Sequence, residues 1–408
     1  MSVTAADAAS CALHDAGTCR SCPNLALPIP DQLAAKQSRV AALLAEHVPA
    51  ELWQAPAASA PTGFRNKAKM AVAGTAAHPT LGILDGAGCG VDLRACPLHV
   101  PAIEAALPVL ADLITDLGLR PYDVPSRRGE LKYVLVTASP DDDLMVRFVL
   151  RSRRYLERLR AAVPDLHRRL PQLAVAAVNI QSVHQAVIEG PEEIVLTEED
   201  RLLMRLSLPS PGLGSRAGRR AESVELPLYL PTRSFFQTNT AVAEALYATA
   251  RDWAEEAEPA RVWDLFCGVG GFALALAAPG RRVLGVEVSA SAIDGARAAA
   301  DLMGLDPALV RFEAGDARVL DPAAGDRAAG AQRPDLLVVN PPRRGIGEQL
   351  ATRIEASGVE RVLYSSCNPR TLATDLAHLP SMRVVRSRLF DMFPHTDHAE
   401  VLVELVRG

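Results

Sequence analysis

The sequence predicts an α/β chain: a doubly wound, mostly parallel sheet in its C-terminal half, preceded by a mixed α+β region. Three observations carry this. Five short apolar runs after residue 260 (VWDLFC, RVLGVEV, VRFEAGD, DLLVVN and RVLYSS) alternate with helical or loop segments, the rhythm of a parallel sheet. Two further runs, RVVRSRLFDMF and EVLVELVR, are joined by the short PHTDHA, so the sheet's edge turns antiparallel. Upstream, ELKYVLVTA and LMVRFVLRS alternate polar and apolar residues around SPDDD, as paired strands do.

The remaining elements follow in order. Residues 1–30 are rich in Cys and Pro and read as irregular. DQLAAKQSRVAALLAEHVP (31–49) spaces Leu, Val and Ala as a helix does. GFRNKAKMAVAG and LGILDGAG read as a hairpin, and 100–118 as a second helix. LAVAAVNIQ and AVIEG add strands, SPGLGSRAGRRAE (210–222) reads as a flexible loop, and a helix runs from about 240 to 256. There is no internal repeat. The expected divisions are an N-terminal arm with the first part of the mixed region (1–99), the rest of that region (100–232) and the parallel-sheet domain (233–408).

Composition is that of an ordinary globular chain, 49% apolar and 22% charged over 408 residues. No apolar run approaches the ~18 residues of a membrane span. MSVTAADAASCALHDAGTC lacks the basic and apolar regions of a signal peptide, so the cytoplasm is expected. A net charge of −5 argues against indiscriminate binding of polyanions. Locally, residues 120–169 hold 12 Lys/Arg against 7 Asp/Glu, densest in RSRRYLERLR. Alone, that run reads as a solvated helix face; beside other signs of nucleic acid it would suit a phosphate backbone.

DLFCGVGGFALALA (264–277) is a strand, a glycine-rich turn and a helix, with Gly268, Gly270 and Gly271 freeing the backbone to approach a ligand. Glu287 ends the next strand, where a carboxylate can take ribose hydroxyls. The pattern is GxGG, which allows NAD and S-adenosylmethionine alike. Asp316 in GDA could face an adenine amino group or merely form a turn. NPPRRGIG (340–347) follows the fourth strand; Arg343 stands where amino-group methyltransferases prefer an aromatic side chain, which weakens N-methylation. Cys367 lies just past a strand end, where open α/β sheets bind ligands and a thiol can act as a nucleophile. Cys267, inside the glycine turn, reads as packing.

Together LFCGVGG, GVEV, NPPRRG, YSSCNPRT and FPHTDHAE, with GFRNKAKM, RGELKYV and SFFQTN upstream, resemble the RNA uracil-C5-methyltransferase family over most of the chain. CALHDAGTCRSCPNLALPIP with ACPL looks most like its branch acting on 23S ribosomal RNA (position-747 type). One departure is Ala399, where the family more often has a large apolar residue. The resemblance implies a Rossmann-like S-adenosylmethionine-dependent methyltransferase domain, and an N-terminal mixed α+β RNA-binding region carrying an iron–sulfur cluster. It implies Cys367 as the nucleophile adding to uracil C6 and Glu400 as the base that removes the C5 proton, with His395 and His398 as local alternatives. Gln237, Phe266, Glu287 and Asn340 are implied contacts of S-adenosyl-L-methionine, although Gln237 could instead be a helix cap.

Cys11, Cys19 and Cys22 form C-x7-C-x2-C, with Cys96 or Cys89 as the distant fourth. Spacing alone does not choose between zinc and a [4Fe–4S] cluster; the family favours the cluster and Cys96. Expected phosphate contacts are the 120–169 region, Arg65, Lys67 and Arg343. No membrane and no obligate protein partner is expected. Other readings are N-methylation of adenine or guanine in RNA, an NAD-linked iron–sulfur oxidoreductase, and a non-catalytic RNA-binding protein.

Overall fold

The computed structural model describes residues 9–184, 187–210, 223–326 and 332–408, so nearly all of the expected loop at 210–222 lies outside the described residues. The Cys-rich start holds one helical turn, α1 (Ala12–Asp15), before α2 (Ile29–Leu43). Pro30 stands in the first turn of α2, where a missing N–H costs nothing. A seven-stranded sheet follows, built from β1 (Lys67–Gly74), β2 (Pro79–Leu84), β3 (Gly90–Asp92), β4 (Leu131–Ala138), β5 (Leu144–Leu150), β6 (Leu173–Ile180) and β7 (Glu192–Val195). Its order is β3-β2-β1-β4-β5-β6-β7, antiparallel except between β5 and β6. Helices α3 (Pro101–Asp116) and α4 (Leu156–Arg169) supply the apolar side chains that complete its core. The division expected at residue 99 runs through this single sheet, which draws strands from both sides.

Of AVIEG, Ala186 lies outside the described residues and residues 187–190 are not a strand. The Asn179 and Gln181 side-chain amides capture the backbone there: Gln181 Nε2 donates to the carbonyls of Val187 and Glu189, and Asn179 Oδ1 accepts from the Gly190 N–H. Side-chain hydrogen bonds have displaced the ladder, which starts at Glu192.

A hairpin, β8 (Arg201–Pro209) and β9 (Ser223–Pro231), leads to α5 (Thr240–Glu255) and a second sheet. That sheet comprises β10 (Arg261–Leu265), β11 (Arg282–Glu287), β12 (Val310–Ala314), β13 (Leu336–Val339), β14 (Arg361–Ser366), β15 (Met382–Phe390) and β16 (Glu400–Arg407). Between its strands lie α6 (Gly271–Ala275), α7 (Ala290–Leu302), α8 (Gly347–Ser357) and α9 (Pro369–Ala377). The order β12-β11-β10-β13-β14-β16-β15 is parallel through β14 and antiparallel at β16 and β15, as the alternation of short apolar runs predicts. No helix among the described residues is long and apolar enough to cross a membrane.

Helix α2 belongs to the second sheet's core, where Val40 joins Trp263, Leu350 and Tyr364. It also carries a buried cation. Lys36 is 1% exposed; its Nζ donates to Asp391 Oδ1 at 2.5 Å and to the Phe393 carbonyl at 2.8 Å. Burial lowers the lysine's pKa, and Asp391 opposes that shift. Gln32, one turn earlier, donates to the Leu27 carbonyl, contacts His395 Nδ1 at 3.1 Å and accepts from the His395 N–H. The segment between β15 and β16 is thereby fastened to the N-terminal helix. Breaking a buried pair leaves its partner's charge stranded. Lys36→Met should therefore cost about 3–5 kcal/mol in urea unfolding, and adding Asp391→Leu should recover much of that loss.

Candidate active site

Above the C-terminal ends of β10, β11, β13 and β14 lies a cavity of about 600 Å³, within the range of small-molecule sites. Its floor is the glycine turn after β10. Phe266, Gly268 and Gly270 adopt left-handed φ values of 66°, 55° and 86°. A Cβ on Gly271 would stand 2.5 Å from the Tyr247 hydroxyl, so that position admits no side chain. Below the turn, Asp264 is fully buried; its Oδ2 accepts from the Ala273 N–H while Oδ1 has no partner among the described residues. Burial foremost, then Glu287, raises its pKa to about 8.

The cavity brings together Gln237, Phe266, Glu287, Asn340, Cys367 and Glu400, six residues singled out from sequence. Gln237 is not the cap of α5; Asn239 is, accepting from the Val242 N–H at 3.3 Å. The Gln237 side chain is 5% exposed and has no hydrogen-bond partner among the described residues, so its amide is available to a ligand. Glu287 Oε1 accepts from the Ser289 N–H. Asp316 also lines the cavity, but its carboxylate caps the following turn and pairs with Arg318 at 2.7 Å. Those bonds hold its pKa down at about 2.

Cys367 immediately follows β14 and is half-buried. Asn368 caps α9 through its Oδ1, while its Nδ2 and the Thr371 hydroxyl both donate to the Arg343 carbonyl. The Cys-Asn-Pro turn and the PPRR turn are thereby stapled together. A further support is Asp375, which accepts from the N–H groups of Ile346 and Gly347 and from the Tyr364 hydroxyl. Gly345 (φ 79°) runs so close to Asp375 that a Cβ would sit 2.2 Å from Oδ2. Burial foremost, then Glu400, raises the Cys367 thiol's pKa; Arg343 pulls it back. Cys267 is buried with a thiol pKa well above its ordinary value, and is packing, as expected.

Glu400 opens β16. The antiparallel register ends with Ser366 paired to Val401, so Cys367 and Glu400 each stand next to that pair, and both line the cavity. Its carboxylate is 2% exposed and accepts from the Ser365 hydroxyl. Burial raises its pKa to about 7. The local alternatives fare differently. His395 is fully buried, with one ring nitrogen against Gln32 and the other against the Pro61 carbonyl, away from the cavity. His398 is exposed, 3.3 Å from Arg343 Nη2, in a shallower cleft beside Cys367. Sequence reading missed Phe235, Tyr247 and Phe393, which line the same cavity; for Tyr247, an aromatic inside a helical run gives no sign of facing a site rather than a core.

The N-terminal cysteines converge electrostatically. Burial foremost, then Cys96, Cys19 and Cys11, pushes the Cys22 thiol up to about 11; exposed Cys89 does not contribute. Among the described residues, no three His, Cys, Asp or Glu side chains meet at metal-ligand spacing.

The expected phosphate contacts are fewer than the sequence suggests. Burial drops Lys67 to about 8, and Arg65 is half-buried with Nε donating to the Lys67 carbonyl. In the basic region, Arg147, Arg151, Arg153, Arg160, Arg168 and Arg169 are all in ion pairs. Arg147 among them is buried in β5; for the others the solvated-face reading holds.

A parallel sheet with an antiparallel final pair, a glycine turn after its first strand and an acidic residue after its second defines the S-adenosylmethionine-dependent methyltransferase fold. A family model described as tRNA (Uracil-5-)-methyltransferase matches residues 225–408. The 23S rRNA (uracil(747)-C(5))-methyltransferase of Halothiobacillus neapolitanus is 49% identical, covering 97% of this chain and 99% of that one. Its counterpart from Escherichia coli K12 is 46% identical, covering 97% and 99%. The tRNA (uracil-54, C5)-methyltransferase of Pyrococcus abyssi, solved with S-adenosyl-L-homocysteine, shares the fold with a TM-score of 0.73 and 23% identity, covering 94% of this chain and 85% of that one. The chain belongs to the RNA uracil-C5-methyltransferase family.

The buried Glu400 makes a prediction for stability. A carboxyl whose pKa rises on folding, here from 4.5 to about 7, favours the native state while protonated. That contribution is full below pH 4.5 and is lost as pH rises through 7. Between pH 4.5 and 7.5 wild type should therefore lose on the order of 3 kcal/mol more unfolding free energy than Glu400→Gln, measured by denaturant titration at each pH.

Proposed function

We propose that this protein methylates carbon 5 of a uridine in 23S ribosomal RNA, at the 747-type position of its relatives, with S-adenosyl-L-methionine as donor. The reading rests on one observation above all: Cys367 and Glu400, each next to the last pair of the β14–β16 register, line the same glycine-turn cavity. Neither N-methylation nor nicotinamide chemistry requires Cys367 together with Glu400.

Gln237, Phe266, Glu287 and Asn340 bind the donor, with Glu287 taking the ribose hydroxyls. Bound there, the donor supplies an electrophilic methyl group. The uridine must leave its stack to reach Cys367. The Cys367 thiolate adds to C6, breaking the C5–C6 double bond and making C5 nucleophilic; Arg343 favours the thiolate. Once C5 carries the methyl, Glu400 takes the C5 proton. The C6–S bond then breaks, the double bond returns, and the thiolate is regenerated. A carboxyl with a pKa of about 7 is suited to take up and release that proton near neutrality.

Cys11, Cys19, Cys22 and Cys96 would hold a [4Fe–4S] cluster. Cys96, Cys19 and Cys11 all act on the Cys22 thiol, which places the four near one another and supports the reading. Cys19 and Cys96 pack against the core of the first sheet, so the cluster would pin the arm there. Arg120, Arg127, Arg128, Arg154 and Arg158, with no acidic partner among the described residues, are left to meet phosphates.

RNA carrying 5-fluorouridine tests the chemistry, because fluorine at C5 blocks proton removal and strands the C6–S bond. Wild type should form a denaturation-resistant adduct that Cys367→Ala cannot form; Cys367→Ala that still methylates RNA at the wild-type rate would favour N-methylation instead. Glu400→Gln should slow turnover by roughly 100- to 10,000-fold and accumulate the adduct even on ordinary uridine. Cys22→Ser, purified anaerobically, should have lost bound iron and sulfide by chemical assay; wild type without either would remove the cluster from the reading.

A further inference from the structure

One polar atom in the cavity has no role in the scheme above. Tyr247, on α5, is 6% exposed and lines the cavity. Its ring stands edge-on to Phe272, with centroids 5.0 Å apart at 87°, which fixes its direction. The hydroxyl lies over Gly271, close enough that a Cβ there would be 2.5 Å from it. Among the described residues it makes no hydrogen bond, an unusual state for a buried tyrosine.

We infer that Tyr247 is a further cofactor-binding residue, whose hydroxyl donates a hydrogen bond to the α-carboxylate at the amino-acid end of the bound S-adenosyl compound. This rests on the cofactor assignment proposed above. The argument is one of elimination along the cavity. Glu287 stands at the end of β11 and takes the ribose, so the adenosine half lies on that side. Tyr247 stands over Gly271, with Gln237 on the segment just before its helix, so it meets the other half of the molecule. That half offers an ammonium group, which donates only, and a carboxylate, which accepts only. Burial, with Asp264 and Glu400 nearby, raises the phenol's pKa, so its O–H proton is retained and needs an acceptor, which an ammonium group cannot be. A donor at this place pairs with the carboxylate, and hydrogen bonds to an ionised acceptor are the stronger kind.

The test is a binding cycle read by calorimetry, without turnover. Two ligands are compared on wild type and Tyr247→Phe: S-adenosylhomocysteine, which carries the carboxylate, and decarboxylated S-adenosylmethionine, which does not. The variant should bind S-adenosylhomocysteine roughly 10- to 100-fold more weakly and the decarboxylated compound within about twofold of wild type. Retained binding of the decarboxylated compound also shows that the variant is folded. Equal weakening of both ligands, or of neither, overturns the inference. Wild type that binds neither compound overturns the cofactor assignment and the inference with it.

Discussion

The site depends on the antiparallel insertion of β16 between β14 and β15. In a wholly parallel sheet every strand begins at the edge opposite the one where β14 ends. Reversing β16 brings its first residue to the edge where β14 finishes, so Glu400 and Cys367, 33 positions apart, each stand next to the last pair of the register, Ser366 with Val401. The same strand face shows how environment divides like residues. Glu404, four residues on, is fully buried and is answered by the guanidinium groups of Arg361 and Arg386. Among the described residues Glu400 is answered only by the Ser365 hydroxyl, and its pKa rises to about 7. An unpaired buried carboxyl costs stability; here that cost accompanies the carboxyl proposed to exchange a proton beside the thiol.

The segment that delivers Glu400 is irregular and would be free to move if left alone. It is held from the N-terminal side. Lys36 and Gln32 reach across from α2 to Asp391, Phe393 and His395, and the Asn24 N–H donates to the His395 carbonyl at 3.1 Å. Asn24 is two residues from Cys22, so the cysteine arm and the active-site segment share a short stretch of backbone. Whatever orders the cysteines also bears on the position of Phe393 and Glu400. His395 illustrates the fastening: its φ of 63° is a strained backbone state for a non-glycine residue, held by bonds to both ring nitrogens.

Much of this was legible in the sequence, for definite reasons. Buried parallel strands are short apolar runs bounded by polar or glycine residues, so β10 to β14 announce themselves, and residues at their C-terminal ends are candidates wherever a sheet binds a ligand. The motifs around Cys367 and Glu400 carry the proposed chemistry. What could not be read depends on contacts distant in sequence. Nothing in QLAAKQS marks Lys36 as buried, because its partner is 355 residues away. Arg65 and Lys67 look like surface cations in FRNKAK, yet the strand they begin is largely covered. Three of the five arginines of RSRRYLERLR are paired with acids, Arg151 with Glu130, Arg153 with Glu192 and Arg160 with Glu157, and two of those acids lie outside the run, which a count of charges along one stretch does not reveal.

Tyr364 and Asp375 show how far support extends behind the reacting groups. Tyr364 lies inside β14, three residues before Cys367, and points away from the cavity into the core shared with α2 and α8. Its hydroxyl donates to Asp375 on α9 at 2.5 Å, and Asp375 in turn holds the N–H groups that follow Gly345. The strand before the thiol, the helix after it and the arginine turn beside it therefore meet at one buried carboxylate. Arg343 is the cation nearest the thiol, opposing the rise that burial and Glu400 impose. Its reach is set by a turn held partly through its own carbonyl, by Asn368 and Thr371, and partly by Asp375. Loss of Asp375 would leave Cys367 in place and Arg343 intact, yet release the turn that aims the second at the first; preorganisation here is a property of the frame rather than of the reacting residues.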